Sequence, residues 1–465
     1  MELQSRQSDT RSQSNDHGHG DESDHEPHSG PETPSQKLDR RSILKLVCAG
    51  FSFFFAGTND GTTGPLLPYM LHEYNISTGL VTVIYVATFG GWFMSALTNT
   101  HLTTTLRLSL GATLLLGAGL QLLSQLLRFW NPPFGLFVVS FSLTALGQAY
   151  QDSYSNSYVA TVPGAHRWLG FIHAMYMLGC LTGPFIATPL ASHTHWHYTY
   201  AAEAGLGVLN LAFVAGAFGS DMFADSKRKR KTAFEAARDG NAEIAASAPD
   251  GASSECQQQD TAPGSRNVQA LNEIRQTLKL RAVWLVSMFF FFFLGAVITA
   301  GGWVVEYLVR VRKGDLSSMG YAPTGFYGGG FLGRLLLAEP THRFGDRRMV
   351  FGYIVACIAL QVMFWTIPNI VAGFVLYSAL GFFSGPFFVS GISVASKLCP
   401  KSVQTTALGF IFVLAQAGGS LFPTLTGLVA AHAGVKVLQP ILVALFVGTG
   451  VSWWLVPRVD KVREV

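Results

Sequence analysis

The most constraining feature of this 465-residue sequence is a series of apolar blocks, each of about 20 residues or more. A block of that length is too long for an ordinary core helix and matches the thickness of a lipid bilayer. Charged residues make up only 13% of the chain, about half the fraction typical of soluble domains. The sequence therefore predicts an all-α membrane protein that crosses the bilayer many times, and it excludes a soluble globular protein.

Twelve blocks can be marked, six on each side of a polar gap, and each is long enough to cross the hydrocarbon core with some tilt. They lie at about 42–72, 77–99, 106–128, 132–162, 167–190, 198–220, 281–310, 316–339, 349–366, 370–396, 403–431 and 436–457. We therefore predict a disordered cytoplasmic tail, a six-helix half, a cytoplasmic linker, a second six-helix half and a short cytoplasmic tail, over residues 1–41, 42–220, 221–280, 281–457 and 458–465. The polar start of the chain predicts no cleavable signal peptide.

Lysine and arginine are concentrated in alternate connections, which predicts that both termini lie in the cytoplasm. The connections assigned to the cytoplasm, with the C-terminal tail, contain Arg107, Arg167, Arg343, Arg347, Arg348, Lys397, Lys401, Arg458, Lys461 and Arg463. Those assigned to the outer side contain Arg128, Arg310, Arg312, Lys313 and Lys436. The basic run Lys227–Lys231 at the start of the linker is typical of an anchor to anionic lipid, and a nuclear signal is the less favoured alternative.

The two halves repeat each other in sequence. The segment FFFAGTNDGTTGPLLPYM, starting at Phe53, shares three Phe, two Gly and one Tyr with FFFLGAVITAGGWVVEYL, starting at Phe291. LGFIHAMYMLGCLTGP, starting at Leu169, aligns with LGFIFVLAQAGGSLFP, starting at Leu408, and a third pair, FGGWFMSAL and YGGGFLGRL, keeps nearly the same offset. Such a repeat predicts two pseudo-symmetric halves related by an axis along the membrane normal.

This layout resembles the major facilitator superfamily, whose members are two six-helix halves joined by a cytoplasmic linker. The segment GRLLLAEPTHRFGDRR, residues 333–348, resembles the cytoplasmic signature of the superfamily between the eighth and ninth spans. The resemblance implies a gate in which charges can pair across the interface between the halves. Its residues here are Gly333, Arg334, Arg343, Gly345, Asp346 and Arg347. The equivalent segment of the first half, residues 99–107, has lost nearly all of this pattern.

Asp152 is the first candidate for proton coupling, since a carboxylate within a span usually faces a cavity, pairs or carries protons. Gln148 precedes it by one helical turn, Asn156 follows it by one turn, and Gln151 is its neighbour, so that together they form a polar region of the fourth block. Burial would keep this carboxyl group protonated until water arrives, as coupling requires. The alternative is a carboxyl group that bonds a neighbouring helix and serves only the packing.

Asp60 is the second candidate. With Asn59 it lies near the middle of the first block, ahead of Pro65 and Pro68, which predict a break or kink there. Interrupted helices near the midplane are where transporters bind solutes and ions. A kink whose free backbone groups are satisfied locally, without a ligand, is an alternative of equal weight.

Glu306, Glu203 and His173 are further ionisable residues within the blocks. Glu306 precedes Arg310 by four residues, which favours a helix salt bridge over a coupling role. Glu203 falls near the outer end of its block, where we expect contact with water. His173 in the fifth block is expected to form a hydrogen bond, and a part in the proton path or the solute site is the alternative.

A finer resemblance is to the fucose permease-like branch of the superfamily and to its fungal general-substrate members. In the fourth span of that branch an acid is followed four residues later by Asn, as Asp152 is by Asn156 here. Its first span carries Asn-Asp ahead of Leu-Leu-Pro, and here Asn59-Asp60 stands one turn earlier relative to that motif. The resemblance implies a proton-coupled secondary transporter of a small organic solute that works by alternating access, although the fold does not determine sugar specificity.

The other predicted site residues offer hydrogen bonds or stacking surface to a solute. They are Asn59, Gln148, Gln151, Asn156, His173, Tyr176 and Trp303, with Tyr85 and Trp92 as further aromatic candidates. Two transport hypotheses remain open. Sugar or polyol symport is slightly favoured by the branch resemblance, and efflux of a small hydrophobic or secondary metabolite by proton antiport is favoured by the aromatic spans. A non-transporting membrane sensor is a third, which the intramembrane acids disfavour.

No motif for ATP-driven transport or for the common hydrolases occurs, so we expect neither an enzyme nor a cofactor. Five cysteines are scattered singly, which predicts neither a metal site nor a disulfide framework; they are Cys48, Cys180, Cys256, Cys357 and Cys399. The basic residues lie between apolar blocks, which argues against nucleic-acid binding. We expect a monomer in the plasma membrane whose partners are its solute, protons and the lipid bilayer.

Overall fold

The computed structural model describes residues 39–104, 106, 108–243, 272–400 and 403–457. Most of the predicted N-terminal tail, residues 244–271 of the predicted linker and the C-terminal tail lie outside these ranges. All regular secondary structure in the described ranges is helical. This confirms the predicted all-α fold class.

Twelve helical spans occupy the positions of the predicted blocks, and we number them in chain order. In the first half they are Arg40–Glu73, Val83–Thr104, Leu110–Phe129, Phe134–Ala160, Ala165–His193 and Tyr198–Glu243. In the second half they are Arg281–Arg310, Ala322–Leu336, Asp346–Thr366, Ile370–Ser384 with its continuation Phe387–Leu398, Gln404–Ala433 and Leu438–Leu455. Short helices before the second, eighth, ninth and twelfth spans cover Thr78–Val81, Leu316–Met319, Ala338–Phe344 and Val435–Val437.

Within the described ranges, ten helical segments are long and apolar enough to cross a membrane. The two spans that do not qualify are the fourth, which carries the polar residues around Asp152, and the eighth, which has only 15 residues. The fourth span packs against the second and third, and the eighth packs against the fifth and tenth. Neighbouring helices, rather than lipid, therefore surround much of these two spans, which explains how a polar and a short span are tolerated.

The packing repeats the symmetry of the sequence. The first span packs against the fifth and sixth, and the seventh packs in the same way against the eleventh and twelfth. The second and fourth spans form a pair, as do the eighth and tenth. The two halves meet mainly through three pairs of spans: first with seventh, second with eleventh, and fifth with eighth. The predicted pair of six-helix halves is thus the architecture of the described chain.

Glycines that align in the repeat allow this close packing. A Cβ atom on Gly179 of the fifth span would clash with the backbone carbonyl oxygen of Phe54 in the first span. A Cβ atom on Gly418 of the eleventh span would clash in the same way with the carbonyl oxygen of Phe291 in the seventh. The same helix pair in each half therefore needs glycine at the same place, which is the physical reason for part of the sequence repeat.

The first span continues as one helix from Arg40 to Glu73, with Pro65 and Pro68 inside it. Of the two predicted outcomes, a break or a kink, the break is therefore wrong, and the kink stays a prediction. Each proline lacks a backbone N–H, so the carbonyl groups of Gly61 and Gly64 lose their usual donors four residues later. Packing against the fifth, sixth and seventh spans holds the helix together across this region.

The sixth helix extends to Glu243 and so crosses the predicted boundary between the first half and the linker at residue 220. The sequence from 227 to 243 is rich in Lys, Arg, Ala and Glu, which favour a helix.

The predicted inner side of the bundle is the side where the first and seventh spans begin, at Arg40 and Arg281. The predicted outer side is the side where these two spans end, at Glu73 and Arg310.

Candidate functional site

Asp60 lies on the first span with its side chain partly exposed, and three side chains hold its carboxylate. Tyr176 of the fifth span donates a 2.8 Å hydrogen bond to Oδ2. Gln148 of the fourth span donates to Oδ1 and to the backbone carbonyl oxygen of Ala56, each at 3.2 Å. The amide of Asn59 donates to Oδ1 at 3.1 Å. Three spans of the first half therefore meet at this one carboxylate.

The two halves are in contact one helical turn from Asp60, on its predicted outer side. A Cβ atom on Gly64 would clash with the backbone carbonyl oxygen of Gly301 in the seventh span. Closer to the predicted outer surface, Thr188 of the fifth span packs tightly against Gly320, just before the eighth span. These two contacts close the interface between the halves on the predicted outer side of Asp60.

Arg128 lies next to this cluster and is 1% exposed, although it stands in the last turn of the third span. Its guanidinium group donates to Ser140 at 2.8 Å, to Thr144 at 2.7 Å and to Oδ1 of Asn59 at 3.0 Å. The ring of Phe141 lies 3.8 Å from the guanidinium carbon. Arg128 therefore stands at the predicted outer end of its span, but its long side chain turns back into the bundle instead of facing water.

Glu203 of the sixth span is fully buried, so its predicted contact with water is also wrong. Thr62 donates a 2.9 Å hydrogen bond to its Oε1, and its Oε2 has no partner among the described residues. Arg128 interacts electrostatically with both Glu203 and Asp60, yet none of the ion pairs between described residues includes it. The first half thus holds a buried cation that forms no ion pair with either carboxylate among the described residues.

A chain of amide groups joins four spans behind this site. Gln121 donates to Gln151 at 2.7 Å, Asn210 donates to the same oxygen of Gln151 at 3.1 Å, and Ser52 donates to Asn210 at 2.8 Å. Gln151 in turn donates to the backbone carbonyl oxygen of Leu114 at 3.2 Å. Gln151 is therefore buried among the helices of the first half, and both its amide oxygen and its amide nitrogen form hydrogen bonds there. This places it away from a solute between the halves.

Asp152 follows Gln148 by one helical turn toward the predicted inner side and is half-buried. None of the side-chain hydrogen bonds or ion pairs between described residues includes it, so no lysine or arginine neutralises it there. It interacts electrostatically with Asp60. Asn156, one turn further on, is also half-buried. The structure thus places Asp152 near the Asp60 cluster without making it a member.

His173 of the fifth span lies between the two halves. Its ring packs against Phe53 of the first half, with 5.2 Å between ring centroids, and against Phe388 of the second half, at 4.9 Å. Its backbone carbonyl oxygen accepts a 2.8 Å hydrogen bond from Arg334 of the eighth span. Among the described residues the His173 ring makes aromatic contacts rather than the predicted hydrogen bond.

The predicted stacking residues lie in different places. Trp303 is fully buried in the second half, where its Nε1 donates to the carbonyl oxygen of Pro423 at 3.2 Å. It therefore has no surface to offer a solute in this structure. Tyr85 is buried at the contact between the second and seventh spans, and Trp92 is half-buried on the second span. Of these four aromatic residues, only Tyr176 bonds to Asp60.

Most of the predicted gate residues bond within the second half. Asp346 lies 3.3 Å from Lys397 at the end of the tenth span, and Arg347 donates to the backbone carbonyl oxygen of Trp454 at 2.8 Å. A Cβ atom on Gly333 would clash with the backbone of the tenth span at Phe382. Arg343 lies over the ring of Phe344, and Gly345 has a φ of 94°, a left-handed value that favours glycine. Of the six, Arg334 is the one whose described hydrogen bonds reach the first half.

Glu306 and Arg310 form the expected i, i+4 salt bridge at 3.0 Å, with Glu306 buried and Arg310 68% exposed. They line a groove of about 530 Å³ on the predicted outer side, together with residues 71–72, 75–78 and 434–435. This groove lies at the ends of the first and seventh spans, beyond the contact between Gly64 and Gly301. It is therefore separate from the Asp60 cluster.

Reasoning from the sequence missed Arg128 and Glu203 as members of this site. One signal was available: Gln121, Gln125 and Arg128 recur at the i, i+4 and i+7 positions of the third span, which places them on one helix face. That face points into the first half, where Gln125 also donates to Oδ1 of Asn59 at 3.0 Å. For Glu203 no comparable pattern exists, since its burial depends on how the sixth span packs.

The relatives of this chain agree with its architecture. A curated relative is bypass of stop codon protein 6 of Saccharomyces cerevisiae, which is 24% identical over 437 residues, covering 90% of this chain and 84% of the relative. Among solved structures, a bacterial homologue of the human lysosomal transporter Spinster, inward-facing and unoccupied, matches with a TM-score of 0.63 at 10% identity, covering 92% of this chain and 99% of the other. The fucose:proton symporter FucP of E. coli matches with a TM-score of 0.60 at 16% identity, covering 90% and 100%.

The sequence also matches the family described as the Major Facilitator Superfamily, over residues 49–423 and 304–465. This match covers most of both six-helix halves. It agrees with the repeat in the sequence, with the symmetric packing of the spans and with the folds of the solved relatives. The chain belongs to the major facilitator superfamily and is an integral membrane protein of the secondary transporter class, not an enzyme.

Proposed function

We propose that this transporter couples the movement of a small organic solute to protons, with Asp60 as the central proton-binding residue. The observation that carries the proposal is the setting of Asp60: a partly exposed carboxylate, bonded by Tyr176 and Gln148, one turn to the predicted inner side of the contact at Gly64. A carboxylate at membrane depth is costly unless it pairs with a cation, faces a cavity or carries a proton. None of the ion pairs between described residues includes Asp60, which favours the proton.

Protonation of Asp60 would bias the rocking of the two halves. The charged carboxylate needs water or hydrogen-bond donors around it, whereas the neutral acid tolerates a dry, closed interface. A ligand can shift a conformational equilibrium only through a difference in affinity between the two states, and a proton on Asp60 would supply that difference. The closure at Gly64 and Gly301, directly beside Asp60, is where the two states would differ.

Asp152 would pass protons between Asp60 and the predicted inner side. It lies one helical turn from Gln148 on the same span, toward the predicted inner side. It is half-buried and interacts electrostatically with Asp60. With both termini in the cytoplasm, as the basic residues favour, this side is the cytoplasm. The role fits a carboxylate that has no partner of its own among the described side chains.

Two directions of transport remain, and a different feature of the site favours each. The amide and hydroxyl groups of the first half, such as Gln148 and Tyr176, would suit the hydroxyl groups of a sugar or polyol taken up with protons. The aromatic surface that the second half brings to the interface at Phe388 would suit an apolar body exported in exchange for protons.

The proposal is tested with the purified protein in lipid vesicles that carry a pH gradient and a pH-sensitive dye inside. A panel of sugars, polyols, organic acids and apolar metabolites is added, and proton movement and solute accumulation are recorded together. The expected result is that at least one solute causes proton movement that is absent from protein-free vesicles. Solute transport that proceeds at the same rate and to the same level with and without the gradient would contradict proton coupling.

A further inference from the structure

Arg334 is a cation placed between the two halves. Its Nη1 donates to the backbone carbonyl oxygen of His173 in the first half at 2.8 Å. Its Nε donates to the carbonyl oxygen of Gly385 in the tenth span at 3.3 Å. Both acceptors are neutral, so these bonds position the guanidinium group without balancing its charge.

No carboxylate of the described chain pairs with Arg334. None of the ion pairs between described residues includes it, and Asp346, the acid of the same signature, pairs with Lys397 instead. A guanidinium group carries five N–H donors, of which two are used here. The other three lie on Nη1 and Nη2, at the end of the fork, and the side chain is partly exposed.

Taking a cation out of water without an anion is unfavourable, and this cost is recovered when an anion arrives with good geometry. Arginine is well suited to carboxylates because its planar fork can donate two parallel hydrogen bonds to the two oxygens. The free end of the Arg334 fork therefore has the chemistry of a carboxylate receptor.

The surroundings of Arg334 are aromatic. The ring of Phe388 lies 5.7 Å from the guanidinium carbon, and the ring of His173 packs between Phe388 and Phe53. Tyr176, which bonds to Asp60, follows His173 by three residues on the same helix. The cation thus lies about one helical turn from the proton-binding cluster, beside aromatic rings contributed by both halves.

We propose that Arg334 binds the carboxylate of the transported solute, and that the solute is an organic monocarboxylate with an apolar body that packs against Phe388 and the ring of His173. This inference rests on the proposed function, because it names the solute class of the same site. It extends the predicted gate role of Arg334: the guanidinium group that joins the halves is also the group that the solute meets.

The inference is tested by direct binding to the full-length protein in lipid nanodiscs, which requires no proton gradient. Radiolabelled benzoate is the first probe, and acetate, octanoate and 1-naphthoate extend the range of apolar size. Each acid is compared with its own primary amide, which keeps the shape and removes the charge. The variants are Arg334→Gln and Arg334→Lys, with Arg310→Gln as the control, since Arg310 is an exposed arginine of the outer salt bridge.

We expect at least one of the larger acids to bind while its amide does not. The affinity for that acid should fall at least tenfold in Arg334→Gln, stay intermediate in Arg334→Lys and remain unchanged in Arg310→Gln. The inference is overturned if acid and amide bind equally, if no acid in the series binds, or if Arg334→Gln keeps the wild-type affinity. If Arg334→Gln does not fold, the inference is decided by comparing the binding of each acid with that of its amide, on the wild-type protein and on Arg334→Lys.

The failure of this inference differs from a failure of the proposed function. If no acid binds but a neutral solute still drives proton movement, the solute class is wrong and proton coupling stands. If an acid binds through Arg334 but is transported without protons, the solute class stands and proton coupling is wrong.

Discussion

The phenolic hydroxyl of Tyr176 donates a 2.8 Å hydrogen bond to Oδ2 of Asp60, and so joins the fifth span to the first at the interface between the halves. The fifth span also packs against the eighth, while the first packs against the seventh. Tyr176 and Asp60 therefore lie on spans of the first half that contact the second half, at its eighth and seventh spans respectively. On the proposed mechanism, a change in the charge of Asp60 would act directly on the surface about which the halves rock.

Replacing Tyr176 by Phe should move the pH profile of transport to higher pH. The hydroxyl group donates to the charged carboxylate and so stabilises that form; without it, the protonated form of Asp60 is favoured. Loss of one such bond to a charged group is worth about 1.5–3 kcal/mol, which corresponds to a shift of roughly one to two pH units. The measurement is the initial rate of solute transport in vesicles as a function of pH.

The matched control is Tyr377→Phe, because the Tyr377 hydroxyl is buried in the second half and has no hydrogen-bond partner among the described residues. Its pH profile should stay at the wild-type position. An unshifted profile in Tyr176→Phe, with transport retained, would show that the contact with Asp60 does not govern protonation.

Replacing Arg128 by Met should destabilise the first half strongly. The guanidinium group is buried and supplies hydrogen bonds to Asn59, Ser140 and Thr144, and its charge lies close to Glu203. Removing one partner from such a buried cluster typically costs about 3–5 kcal/mol of unfolding free energy. The measurement is reversible denaturant unfolding in detergent or, where refolding fails, the thermal midpoint.

Arg128→Lys should recover only part of this stability, because an ammonium group lacks the planar fork that reaches three acceptors. Lys436→Gln is the control and should change the unfolding free energy by at most about 0.5 kcal/mol, because Lys436 is exposed and belongs to none of the ion pairs between described residues. Equal effects of Arg128→Met and Lys436→Gln would mean that the buried network contributes nothing to the fold.

Replacing Gly64 by Ala should keep the predicted outer side open. The added methyl group would clash with the backbone of the seventh span at Gly301, so the closed contact between the halves could not form. Spin labels introduced by Glu73→Cys and Lys436→Cys, on the predicted outer ends of the two halves, should move further apart, and transport should fall. Gly119→Ala is the control, since nothing lies within 4 Å of a Cβ atom there. A distance distribution identical to that of the wild type would contradict this role of Gly64.

Replacing Asp152 by Asn should slow proton-coupled transport, and Asp152→Glu should restore most of the rate. The carboxylate is half-buried, has no ion-pair partner among the described residues and interacts electrostatically with Asp60, so its charge is available for proton transfer. The readout is the initial rate of solute-driven proton movement in vesicles. If pH-dependent flux is the same in Asp152→Asn as in the wild type, Asp152 takes no part in coupling.

Much of the architecture could be predicted from the sequence, because it depends on local pattern. The length of each apolar block determines whether a helix can cross a bilayer, so the twelve helices fall close to the twelve blocks. The internal repeat predicted two similar halves. Part of its physical reason is that glycines such as Gly179 and Gly418 are required at the same contact, between the first and fifth spans and between the seventh and eleventh.

The candidate site could be predicted only in part, because burial depends on how the helices pack. Asn59, Asp60, Gln148 and Tyr176 were named from sequence and meet in the structure. Gln151 was predicted to lie with Gln148 on one polar face of the helix. It follows Gln148 by three residues, so its side chain is turned by about 60° around the helix axis and bonds to Gln121 and Asn210 inside the first half.

Arg128 and Glu203 also show that burial depends on how the helices pack. Their positions near the ends of spans suggested exposure to water, but both side chains turn inward and are buried. Trp303 was expected to face the solute and instead fills the space between the seventh and eleventh spans. A pattern along one helix does not say which neighbour will cover each of its faces.

The most direct test of the account compares two transport modes in the Asp60→Asn variant, with Glu306→Gln as the matched control acid. Accumulation of solute against its gradient, driven by a pH difference, requires proton coupling, whereas exchange of labelled for unlabelled solute at equal pH does not. We predict that Asp60→Asn retains exchange and loses pH-driven accumulation, and that Glu306→Gln retains both. Accumulation at the wild-type level in Asp60→Asn would contradict the assignment of the coupled proton to Asp60.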